Sequence, residues 1–134
     1  MQLTETIRED LWQAAIQARS RAYAPYSRIR VGASLLTAKG HIYAGANVEN
    51  ASYGLSWCAE RAALAQAVAA EGPALRIQAL AVVSDQPGPF PPCGACRQVI
   101  FEFGPEALVI FQGEERVLEV PIQELLPHAF RLSR

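Results

Sequence analysis

The sequence predicts an α/β fold of three layers, with a mixed five-stranded sheet covered by helices on both faces. Two observations carry this. Helical and strand patterns alternate along the chain as α-β-β-α-β-α-β-β, with a short helical turn at the end. Ile77–Val83 is in addition a nearly unbroken apolar run, the pattern of a strand buried on both sides. The length of 134 residues suits one domain, residues 1–134, with a core that needs no disulfides.

In chain order, Thr4 can cap a first helix that runs to about Tyr23. Ile7, Leu11, Ala14, Ala15 and Ala18 recur at three and four along one face. Pro25 stops it, and Tyr23-Ala24-Pro25-Tyr26-Ser27 is a turn-rich connector. Ile29, Val31, Ala33 and Leu35 alternate as a strand, Lys39-Gly40 turns, and Ile42–Ala46 returns, making a hairpin. The polar loop Asn47–Gly54 leads into an alanine- and leucine-rich helix from about Trp57 to Ala70, ended by Gly72-Pro73.

After the apolar strand come four prolines within Ser84–Pro92, a rigid loop at a strand end, where α/β proteins place their chemistry. Cys93 opens a second short helix to about Phe103, stopped by Gly104-Pro105. Ala107–Phe111 and Arg116–Val120 read as the last strands, and Pro121 starts a helical turn through Leu126. No run of apolar residues reaches membrane-spanning length, and Met1–Glu5 lacks the features of a secretory signal. A net charge of −1 without a basic stripe argues against a nucleic-acid partner. The expectation is a cytoplasmic enzyme with reduced thiols.

The three cysteines are Cys58, Cys93 and Cys96, an odd number with one Cys-x-x-Cys, which favours a metal over disulfides. Cys58 and Cys93 fall at two helix starts, where exposed N–H groups and the helix dipole stabilise a thiolate. Three thiolates suit Zn²⁺ and leave its fourth tetrahedral position open to water, as a catalytic site requires. Glu60, two residues after Cys58, can lean over that position and move protons. Arg61 is read as donating to a thiolate sulfur, and Arg97 as a further supporting charge that would equally suit the surface. Trp12 and Trp57 are expected to pack, and His41 and His128 to face solvent.

Together, Cys58-Ala59-Glu60-Arg61 and Pro92-Cys93-Gly94-Ala95-Cys96-Arg97-Gln98 resemble the tetrameric-type cytidine deaminases. The resemblance extends over nearly the whole chain, through Tyr23–Ser27, Val31-Gly32-Ala33, Asn47–Ala51 and Glu124–Pro127 with Phe130. Cys58 stands where other zinc deaminases have a histidine. The resemblance implies one Zn²⁺ per subunit and hydrolytic deamination at C4 of cytosine. Glu60 would handle the protons and contact N3. Asn47 and Glu49 would bind the ribose hydroxyls, with Ala51 and Ala59 among the substrate contacts. Tyr53 and Phe130 would approach a neighbouring subunit's site in a homotetramer with composite sites; as aromatics they equally suit core or interface packing.

One position departs from the family pattern. Ile29 stands where an aromatic commonly stacks on the base, giving an aliphatic wall. The expected partner is a small pyrimidine nucleoside, cytidine or 2′-deoxycytidine, with neither nucleic acid nor membrane. Ile29 motivates the alternative, a deaminase of another aminopyrimidine nucleoside such as a blasticidin S-like antibiotic.

Overall fold

The computed structural model describes residues 3–132. Its elements are α1 (Glu5–Arg19), β1 (Val31–Thr37), β2 (Ile42–Ala46), a 3₁₀ turn (Tyr53–Leu55), α2 (Ala59–Glu71), β3 (Ile77–Ser84), α3 (Gly94–Phe103), β4 (Leu108–Gln112), β5 (Val117–Pro121) and α4 (Ile122–Leu125). The strands form one five-stranded sheet in the order β2-β1-β3-β4-β5. Only β3 and β4 are parallel, joined by the crossover through α3; the other neighbours are antiparallel. This is the mixed α/β/α sheet the sequence predicts.

Thr4 caps α1 as expected, its Oγ1 accepting from Ile7 N at 3.1 Å. The helix ends at Arg19, short of Tyr23, because the backbone beyond it is used elsewhere. Tyr23 N donates to Asn47 O at 3.0 Å and Tyr23 O accepts from Glu49 N at 2.9 Å, pinning the connector to the polar loop. The β1–β2 hairpin forms in register from Gly32 opposite Ala46 to Leu36 opposite Ile42, and Gly40 supplies the left-handed turn residue at φ +86°.

In β1 the alternation of large and small residues does not mark a wet face: all seven residues are buried. Val31, Ala33 and Leu35 join the main core under α2 and α3, with Leu80, Val82 and Val109 from the neighbouring strands. Leu36, Ala79, Ala81 and Ile110 face the other way, against Leu3 and Leu11 on the α1 side. Ser34 is tolerated there because its hydroxyl donates to Leu11 O at 2.6 Å. Two apolar clusters on opposite faces of one sheet make the three layers.

Topology gathers chemistry at one pole. Val31, at the start of β1, is opposite Ser84, at the end of β3, and Gly32 is opposite Ala46, at the end of β2. The loops leaving those strand ends lead directly into the N-termini of α2 and α3. Among the described residues no helix is long and apolar enough to cross a membrane.

Candidate active site

Cys58 is the N-cap of α2 and Cys93 the N-cap of α3, both in extended backbone and neither using its side chain to cap. Their sulfurs are therefore free to turn toward a common point. Cys96 lies in the first turn of α3 and is fully buried. The three Sγ atoms lie within 4.8 Å of one another. A tetrahedral zinc with Zn–S bonds of about 2.3 Å sets its sulfurs about 3.8 Å apart, so the donor set and spacing fit Zn²⁺ with one position to spare.

The electrostatics favour charge on sulfur. The Cys58 thiol is pulled down to about 5 by the hydrogen bond with Cys96 and then by Arg61, against the opposing effect of burial. The same shared bond, reinforced by burial and by Glu60, pushes Cys96 up. Arg61 Nη2 donates to Cys58 Sγ at 3.6 Å, and that bond raises the guanidinium further. Arg61 Nε is buried with no hydrogen-bond partner among the described residues. Arg97 works differently from a thiolate donor. Its Nε donates to Pro92 O at 2.8 Å and its Nη1 to Leu125 O at 3.0 Å, so it braces the backbone that presents Cys93.

Glu60, in the first turn of α2, is only 5% exposed. Burial lifts its carboxyl to about 7, and the nearby Cys58 sulfur adds to the rise against the helix N–H group. A carboxyl that titrates near neutrality can give and take a proton at working pH.

A cavity of about 600 Å³ opens onto this group. Three segments wall it: the α2 entrance (Trp57, Cys58, Ala59, Glu60), the loop before α3 (Phe90, Pro91, Cys93), and the connector with the polar loop (Tyr26, Ser27, Asn47, Glu49, Tyr53). Asn47 Oδ1 accepts from Val31 N and its Nδ2 donates to Ile29 O, both at 2.9 Å. One amide N–H stays available. Glu49 Oε1 accepts from Tyr26 N at 2.9 Å and Ser27 N at 3.1 Å, and Oε2 accepts from the Ser27 hydroxyl. That hydroxyl, outweighing burial with the help of the two N–H groups, holds the carboxyl below its usual range.

Ile29, Ala51 and Phe130, the last expected at a neighbouring subunit's site, do not line this chain's own cavity. Ile29 is partly buried and packs against the main core instead of the cavity wall. Ala51 is exposed on the loop, and Phe130, 69% exposed, carries a carbonyl that accepts from Gln98 Nε2 at 2.9 Å. Trp57, expected to pack, is 52% exposed and lines the cavity, because the bridge of its backbone to Val48 turns it outward from α2. Phe90, Tyr26 and Ser27 were not among the expected contacts. For Phe90 a signal existed: an aromatic three residues before Cys93 in a proline-locked loop.

Residues 5–112 match the family model for the cytidine and deoxycytidylate deaminase zinc-binding region. The chain belongs to this family. It is a hydrolytic deaminase that binds Zn²⁺. The cytidine deaminase of Halalkalibacterium halodurans is 50% identical over 92% of this chain and 93% of its own. That of Sporosarcina psychrophila is 46% identical over 91% and 90%. Among solved structures, the cytidine deaminase of Burkholderia pseudomallei superposes with a TM-score of 0.84 at 47% identity, covering 96% of this chain and all of that one.

Proposed function

We propose that this deaminase converts cytidine and 2′-deoxycytidine to uridine and 2′-deoxyuridine with release of ammonia, in cytoplasmic pyrimidine salvage, as a homotetramer with composite sites. The observation that carries the reading is the buried carboxyl of Glu60 beside a three-thiol cluster in one cavity with Asn47 and Glu49. Cytidine deaminases among the relatives support the same substrate.

Cys58, Cys93 and Cys96 would hold the Zn²⁺, which when bound supplies a Lewis acid that activates water. Glu60 takes one proton from the attacking water and places it on N3 as the C4–O bond forms. It then carries the remaining proton of the new C4 hydroxyl to the amino nitrogen, so that the C4–N bond breaks, ammonia leaves and the C4 carbonyl of the uracil remains. Its burial keeps the carboxyl basic enough to accept and acidic enough to return that proton. Arg61 steadies the anionic sulfur of Cys58. At the sugar, the spare Asn47 N–H donates to a ribose hydroxyl. Glu49 uses three of about four acceptor positions on the connector and keeps one for a hydroxyl. A neutral nucleoside offers no phosphate, so such paired polar groups must supply its recognition.

The alternative substrate, a blasticidin S-like nucleoside, was motivated by Ile29, whose packing against the core takes that motive away from the cavity. The test is an ultraviolet assay of cytidine loss by the zinc-loaded protein, with and without a strong chelator. Turnover that the chelator abolishes is expected; no turnover of cytidine or deoxycytidine would sink the proposal.

A further inference from the structure

Phe90 has a placement that the proton chemistry does not use. Its backbone N–H donates to Gln112 O at 2.9 Å, tying it to the end of β4. Pro89, Pro91 and Pro92 flank it, Pro92 fully buried, and their locked φ angles leave this backbone little freedom. The ring-bearing residue is partly buried against the main core and lines the large cavity. It also borders a second cavity of about 270 Å³ shared with Trp12, Ile16 and Gln112, so it stands as a partition between the two.

From this placement we infer that Phe90 is the fixed aromatic wall on which the pyrimidine ring lies, and that it selects planar bases. The inference rests on the nucleoside reading above. The reacting carbon belongs to the base, so the base must occupy the end of the cavity that holds the cysteines and Glu60. Phe90 reaches that end because it lies three residues before Cys93 on the same loop. The other aromatic rings at the cavity are less suited. Tyr26 and Tyr53 are engaged edge-to-face with each other, centroids 5.9 Å apart, and both they and Trp57 are exposed. Ile29 packs against the same core as Phe90 but does not line the cavity. A preformed ring in a restrained loop costs little ordering on binding, so its contact with a flat base is realised as affinity.

The contact is present in both the ground and transition states, so its loss should act on KM more than on kcat. In zinc-loaded protein, Phe90→Leu should raise the KM for cytidine about 3- to 10-fold and leave kcat within about twofold. The inhibition constant of uridine should rise equally, whereas that of 5,6-dihydrouridine, whose ring is puckered, should move less than about twofold. Phe90→Tyr, which keeps the ring, should restore most of the uridine affinity that Phe90→Leu loses. If Phe90→Leu does not fold, Phe90→Met removes the ring at similar volume and serves the same comparison. Equal weakening of uridine and dihydrouridine would mean a merely structural role and overturn the inference, as would no weakening of either. Unaltered protein that fails to turn over cytidine would overturn the functional reading and this inference with it. Turnover with an unchanged uridine constant in Phe90→Leu would overturn this inference alone.

Discussion

Glu60 is a charged residue type at a nearly buried position, and its surroundings decide what it can do. Removing its carboxyl from water raises the energy of the charged form, and the neighbouring Cys58 sulfur adds to that cost. The amide of a glutamine fills the same volume without exchanging a proton. Glu60→Gln should therefore lower kcat for cytidine by about 10²- to 10⁴-fold, the range ascribed to a positioned acid–base group. Zinc content per chain should stay unchanged, since no part of Glu60 is in the thiol cluster. Kinetics alongside metal analysis of the same preparation check both halves. Zinc lost together with activity would make Glu60 part of the metal's binding. The cysteines and Glu60 were legible in the sequence because a helix start is a local signal, and it fixes where such a side chain begins. Ile29, Phe90 and Trp57 were not, since which way each side chain points depends on contacts from elsewhere in the chain: the main core for Ile29, β4 for Phe90, the polar loop for Trp57.

At the scale of elements, the position of α2 sets the position of Cys58 and Glu60, and a glycine sets the position of α2. A Cβ at Gly45 in β2 would lie 2.5 Å from Ala63 N and 2.8 Å from the Ala62 carbonyl carbon. Both are helix backbone and cannot swing aside. Gly45→Ala should destabilise the fold by about 1–3 kcal/mol through overpacking and should also reduce turnover, because α2 must move off the sheet. Urea titration and the cytidine assay measure the two effects; an unchanged urea midpoint would show that the sheet yields instead. The far end of α2 is fixed by Glu71, whose side chain is 6% exposed. Its Oε2 accepts from Thr37 Oγ1 at 2.9 Å and meets His41 Nδ1 at 2.9 Å, clamping the helix to the β1–β2 turn. Burial pushes this carboxyl up, but the bonds from His41, Thr37 and Tyr43 outweigh it and hold it below the usual carboxylate range. Its stabilisation is thus complete above the ordinary carboxylate value and is lost as pH falls through the folded one. Between about pH 6 and about pH 3 the urea midpoint should fall further for the unaltered protein than for Glu71→Gln. Parallel falls would assign the acid sensitivity to other groups.

Across the whole molecule, the order of elements and a mixed sheet covered on both faces followed from period and punctuation in the sequence. The two-sided burial of β1 did not, because covering both faces requires α1 and α2, which arrive from opposite ends of the strand in sequence. The same distinction bears on assembly. A single chain leaves Tyr23, Val48, Tyr53, Leu55 and Trp57 exposed around the cavity mouth, with Leu55 at 64% and Tyr53 at 74%. Bridges from Val48 to Tyr23 and to Trp57 hold three of these together, and Tyr26 meets Tyr53 edge-on. Apolar surface of that extent beside a binding cavity is expected to be covered by another chain, and a closed homo-oligomer covers it with the same residues. Leu55 tests this cleanly because it belongs to the exposed belt and to neither core cluster nor the cavity wall. Leu55→Glu should leave the circular dichroism spectrum unchanged and shift the mass in light scattering from that of the proposed homotetramer toward a monomer. Turnover per chain should fall with it, since Tyr53 and Trp57 at the mouth would lose the surface that backs them. A Leu55→Glu protein that keeps both the mass and the turnover of the unaltered chain would remove this belt from the subunit interface.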